Sequence, residues 1–230
     1  MCIRDRSYPD LIQDGGKTYI TETEKEIART HEIDEIFVKK LLDWDKASGV
    51  INDGLVFSGI SGISDFPELP ELITNKSGVP ALVTEDLKTG FSIDLWLDRV
   101  PAPGTVLFDT RGDDQQGIVM YITDEKSVKL ELGDEFSISS WSCDSGVLKD
   151  GRNHIAVIID GGPKIISYVI NGKFNDGGDV RKYGWGRFSP NLRHINGCGK
   201  ISINDSVRVI RAYDRALMSV EAVSNYKAGL

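Results

Sequence analysis

Residues 154–173 read HIAVIIDGGPKIISYVINGK, two β-branched apolar runs followed at once by Asn171-Gly172. Asn-Gly beside alternating hydrophobic residues is the strongest short hairpin signal in a sequence. Working back, FSIDLWL (91–97) places Phe91, Ile93, Leu95 and Leu97 on one face of a strand. Between these stretches lie four more strand signals, TVLFDT, GIVMYIT, SVKLEL and FSISSW, each bounded by turn residues. Seven strands in some eighty residues, with no helical periodicity between them, imply an all-β sandwich or barrel. Working forward, KISI and VRVIRAY read as strands. Ser219 then suits the N-cap of a terminal helix, and Gly229 its C′ position.

The chain before residue 90 is different in kind. Residues 8–32 read as two or three short strands around a Gly15-Gly16 turn, and Asp34 is placed to cap a helix. Ile33, Phe37, Leu41 and Trp44 recur at intervals of three and four, an apolar stripe suited to packing on a sheet. A hairpin with one helix buries too little to be stable alone. Residues 47–89 are rich in Gly, Pro, Ser and Asp, with one strand signal near Leu55, and read as linker and entry strands to a domain spanning 47–230. Residues 7–46 then form a separate N-terminal element. The opening MCIRDR reads as the in-frame translation of a sequencing adapter (residues 1–6), which makes Cys2 an artefact and the chain the tail of a longer frame.

Charge excludes one class of partner. A net charge of −8, with no Lys/Arg cluster against it, repels phosphate backbones, so nucleic acid is not expected. No stretch approaches the ~20 apolar residues of a membrane span. Cys143 and Cys198 are open to two readings, a disulfide or two buried thiols, and no CxxC or Cys/His spacing suggests zinc.

Several clusters invite chemistry. EIDE (32–35) has paired acids, but at a helix start rather than along a cleft strand. Glu131, Asp134 and Glu135 flank a turn. His31, His154 and His194 match no catalytic motif, and His154 is expected to pack in or beside its strand. Asp109, Asp113 and Asp114 crowd one loop, where hard oxygen ligands would suit Ca²⁺. The same loop spells Arg111-Gly112-Asp113, an integrin-binding tripeptide short enough to arise by chance. The strongest binding candidate is RKYGWGRF (181–188), in which Tyr183 and Trp185 would stack on a sugar ring while Arg181 and Arg187 donate hydrogen bonds. The competing reading folds Trp185 and Phe188 inward to plug the end of the sandwich.

Three stretches together resemble the laminin-G-like branch of the concanavalin A-like lectin and glucanase superfamily. They are FSIDLWL, HIAVIIDGGPKIISYVINGK and VRVIRAYDRALMSVEAVSNY. The resemblance implies a jelly-roll β-sandwich with a short C-terminal helix, preceded here by a β-hairpin and helix. Asn153 and Arg208 depart from the family pattern, which weakens any transfer of its calcium site. Residues 8–34 resemble the last blade of a sialidase-like (BNR-repeat) propeller. In that match Tyr8 takes the nucleophile position, while the arginine triad and the acid/base residues lie upstream. Together the resemblances imply a non-catalytic carbohydrate-binding domain of a secreted or periplasmic sialidase-like glycoside hydrolase, its partners a glycan and the upstream propeller. The alternatives are a structural or protein-interaction module packing on that propeller, and a glucanase-type hydrolase.

Overall fold

The computed structural model describes residues 10–23, 28–42, 46, 48–59, 65–72, 90–197 and 199–230. The chain divides into two compact units, Met1–Ala47 and Ser48–Leu230. In the first, β1 (Asp10–Asp14), β2 (Lys17–Thr23) and β3 (Ala28–Ile33) form an antiparallel meander, followed by helix α1 (Glu35–Leu42). Asp34 caps that helix as expected, its Oδ1 accepting the Ile36 and Phe37 N–H groups at 2.7 and 3.1 Å. Of the apolar stripe, Phe37 is exposed and Ile33 half-buried; the Leu41 side chain and Trp44 lie outside the described residues.

The second unit is a jelly-roll β-sandwich. Its seven-stranded antiparallel sheet contains β4 (Leu55–Gly59), β5 (Gly90–Leu97), β10 (Asn153–Asp160), β11 (Ile165–Ile170), β12 (Lys173–Phe174) and β15 (Val207–Tyr213), in the order β12-β11-β10-β5-β15-β4, with β13 (Gly186–Arg187) also on β11. The five-stranded sheet runs β14-β6-β7-β8-β9, from β6 (Val106–Asp109), β7 (Gly117–Ile122), β8 (Val128–Gly133), β9 (Ile138–Ser142) and β14 (Ser202–Ile203). Phe91, Ile93, Leu95 and Leu97 face the inter-sheet core, where they meet Ile155, Val157 and Tyr168 from their own sheet and Met120, Leu130 and Leu132 from the other. Tyr168 ties the two sheets: its buried hydroxyl donates to the Trp141 carbonyl at 2.7 Å and accepts the Leu130 N–H at 3.0 Å. Burial pushes that phenol well above its ordinary pKa.

Strand β5 is buried on both faces. Its second face is covered by the closing helix α2 (Ser219–Ala228), whose Ala222 and Val223 pack with Ile158, Val169 and Tyr213. The helix begins one residue away from the expectation: Ser219 is its first residue, and Met218 occupies the cap position. Glu221 decides this, since its carboxylate accepts the Met218 N–H at 2.8 Å while holding Arg215 through two bonds of 2.8 Å. Gly172, at φ +74°, lies against the Tyr226 ring, so a side chain there would both strain the turn and strike the helix.

Under α2 lies a buried polar cluster. The Asp94 carboxylate accepts hydrogen bonds from His154 Nε2 (2.7 Å), Asn225 (3.0 Å) and Arg211 (3.0 Å). Its desolvation would raise the Asp94 pKa, but His154, Asn225 and Arg211 outweigh that and hold it below the ordinary carboxylate value. His154 Nδ1 has no hydrogen-bond partner among the described residues. Among the described residues no helix is long and apolar enough to cross a membrane.

Candidate functional site

The loop between β12 and β13 is fixed from beneath. Asp144 accepts the Gly177 N–H at 3.2 Å and pairs with Arg181, and its own N–H donates to Asn175 Oδ1 at 2.9 Å. Arg181 also donates to the Ser142 carbonyl at 2.9 Å and lies 4.9 Å over the Trp141 ring. Trp141 in turn donates its indole N–H to the Gly184 carbonyl at 3.2 Å. An added Cβ at Gly186 would run into the Trp141 ring, and one at Gly184 into the Asn175 carbonyl, so both glycines permit a contact that no other residue fits. Arg181 is therefore the loop's anchor, not a free donor, which corrects the role expected for it.

Side chains alternate along this segment. The Gly186 backbone lies against the Trp141 ring and Phe188 points inward to join the core, half of the competing reading that turned both Trp185 and Phe188 inward. Trp185 and Arg187 point away, with Trp185 half-buried and Arg187 exposed. The Tyr183 and Trp185 rings lie 4.9 Å apart at 31°, and Tyr183 is 48% exposed. Lys182 sits 5.3 Å over the first ring and the Arg187 guanidinium 5.8 Å from the second. The result is an aromatic platform with two cations at its margin, on a loop whose backbone is held by core residues.

The acidic candidates are engaged elsewhere. Asp109 is gripped by Arg111 (Nη2 to Oδ2 2.7 Å, Nε to Oδ1 2.9 Å), and Asp114 accepts the Gln116 N–H at 3.0 Å within its own turn. A guanidinium on Asp109 repels a second cation, and among the described residues no group of three or more His, Cys, Asp or Glu side chains is placed to hold a metal. Asp109 and Asp114, two of the three acids proposed for Ca²⁺, are thus engaged by partners within their own loop. Arg111, first residue of the tripeptide, is committed to Asp109 and donates to Gln115 Oε1 at 3.1 Å. Glu32 pairs with Lys17 at 2.9 Å, and Asp34 is spent on the α1 cap.

Asp109 and Glu131 do share the outer face of the five-stranded sheet, separated by Val119 of β7. Glu131 is not poised as a proton donor. Desolvation pulls the Glu131 pKa upward, but the hydrogen bonds of Lys129 and Tyr121 prevail and hold it below the ordinary value. A glycosidase needs one carboxyl kept protonated, and Glu131, held below its ordinary value, does not supply it. Asp134 organises its own turn, accepting the Phe136 and Ser137 N–H groups at 2.9 and 2.8 Å.

Cys143 carries a free, buried thiol rather than a disulfide; Val128 N–H donates to its Sγ at 3.1 Å, and burial pushes its pKa up to about 12. Cys198 and Tyr8 lie outside the described residues. Sequence reasoning missed Trp141 and Asp144 as the loop's support. The signal was faint, an aromatic and an acid near the end of an apparent edge strand.

No protein-family model and no curated protein matches the chain. Solved structures of similar shape include a Ruminococcus gnavus IT-sialidase CBM40 bound to α2,3-sialyllactose, at 16% identity over 74% of this chain and 98% of that one, TM-score 0.48. Another is the Streptococcus pneumoniae NanB sialidase (13%; 74% and 28%; TM-score 0.49). A third is a SAP-like pentraxin from Limulus polyphemus (12%; 74% and 80%; TM-score 0.40). At such identities a likeness concerns fold alone.

Proposed function

We propose that the sandwich is a carbohydrate-binding accessory module, with the Tyr183–Trp185 platform as its sugar site. The observation that carries this reading is an aromatic pair, Tyr183 exposed and Trp185 half-buried, on a loop anchored through Arg181 and Trp141, with Lys182 and Arg187 at its edge. An aromatic face stacks on the apolar face of a pyranose, and cationic donors beside it bond hydroxyl or carboxylate groups. Pre-organisation by Arg181 and Trp141 spares the ordering cost that a loose loop would meet on binding. The resemblance of residues 8–34 to a propeller blade supports a sialidase-like glycoside hydrolase as the parent. Tethering such an enzyme to glycan raises its effective substrate concentration.

The test is glycan-array binding of the full chain beside its Trp185→Ala variant, with circular dichroism confirming that both are folded. Loss of a defined glycan signal in the variant supports the site. Binding that survives the substitution unchanged removes it.

A second reading, a module that docks on another protein surface, is favoured by Ile36 and Phe37, both exposed on α1. Folded protein that binds no glycan would leave this reading the stronger.

A further inference from the structure

The platform sits at one end of a longer feature. Beyond β13 the chain follows edge strand β9 in the opposite direction. Gly186 lies on Trp141, the Ser189 N–H donates to Ser139 Oγ at 2.9 Å, and the Arg193 N–H donates to Asp134 Oδ2 at 3.2 Å. Tyr183 and Trp185 therefore lie beside one end of β9, and the β8–β9 turn beside the other. That second end carries two large apolar side chains left in solvent, Phe136 at 81% and Ile138 at 67% exposed. They are not there because the turn is loose, since Asp134 bonds the backbone N–H groups of both Phe136 and Ser137 and fixes the turn that presents the ring. Between the two apolar ends the exposed residues include the polar Ser140 from β9 and Arg187 from β13. From Ser142 to Ile138 the strand alone covers about 13 Å at ordinary strand rise, longer than one sugar ring.

From this arrangement we infer that the edge of the sandwich along β9 binds the interior of a linear glycan chain several units long. One unit stacks on Tyr183–Trp185, the next ones cross the polar strip, and a later one packs on Phe136 and Ile138. A site for a single terminal sugar has no use for a second rigid apolar platform at the far end of the same edge. The inference rests on the sugar-site reading above and specifies its ligand class.

The experiment measures affinity of the full chain for neutral and uronate-containing linear oligosaccharides of one to eight units, with Phe136→Ala and Trp185→Ala beside the native sequence. The expected result is affinity that climbs with chain length and then levels off. Phe136→Ala lowers long-chain affinity about tenfold and leaves short-chain binding unchanged, while Trp185→Ala lowers both. Phe136 is almost wholly exposed, so its loss leaves the fold intact. Short glycans binding as tightly as long ones, or a Phe136→Ala variant that keeps full long-chain affinity, overturns the inference while leaving the sugar site standing. No binding at any length overturns the sugar site as well.

Discussion

Arg181 and Arg187 are six positions apart and look alike in sequence, yet their surroundings give them opposite duties. Arg181 is spent on Asp144, the Ser142 carbonyl and the Trp141 ring, while Arg187 reaches outward past Trp185. Arg181→Ala should therefore lower both the melting temperature and glycan affinity, and Arg187→Ala should lower affinity with the melting temperature unchanged. Thermal denaturation run beside the binding assay separates the two. That division was not legible in RKYGWGRF, because the partners that occupy Arg181 lie some forty positions earlier in the chain. The aromatic and cationic content of the loop was legible, whereas the inward turn of Phe188 was one of two readings the sequence left open. Cys143 gives a second test at this scale. A thiol pushed to about 12 and buried under β8 stays protonated at pH 8. Iodoacetamide at that pH should leave the Cys143 peptide unmodified in native protein and alkylate it in guanidinium, as read by peptide mass mapping.

Helix α2 packs on the seven-stranded sheet and closes over the buried carboxylate of Asp94. FSIDLWL correctly announced a strand with an inward apolar face, but its other face, Ser92, Asp94 and Trp96, reads as solvent-facing until α2 is placed over it. The buried bonds of Asp94 come from β10, β15 and α2, residues scattered over more than a hundred positions, so no local pattern announces them. Asp94→Asn would leave the Arg211 guanidinium buried without its counter-charge, at a cost of about 3–5 kcal/mol, measurable by urea denaturation. The sign of the pH effect follows from the depressed Asp94 pKa. Its stabilisation is present above the ordinary value of 3.8 and is lost as pH falls through the lower value it has in the fold. Native protein should accordingly lose stability on acidification below about pH 4, and Asp94→Asn should flatten that part of the profile. Parallel profiles for the two proteins would contradict the role given to this carboxylate.

Across the whole molecule, the sandwich was readable because both sheets are made of short alternating strands with turn residues between them, and because the closing helix has a clear end at Gly229. The order of strands was not, since sequence spacing says nothing of which edge β4 or β14 joins. The calcium reading of residues 109–114 meets a local obstacle. Asp109 and Arg111, two positions apart at a strand end, face each other and neutralise one another. EDTA should thus leave glycan binding and melting temperature unchanged, and a fall in either would reopen a metal site there. The central claim remains that sugar binds at Tyr183–Trp185. It is tested most directly by recording indole N–H resonances of ¹⁵N-labelled protein during titration with the best-bound glycan of the array. The account predicts that the Trp185 signal moves furthest and saturates with ligand, while that of Trp96, buried beneath α2, stays in place. A Trp185 signal that does not move while glycan binds elsewhere would contradict it.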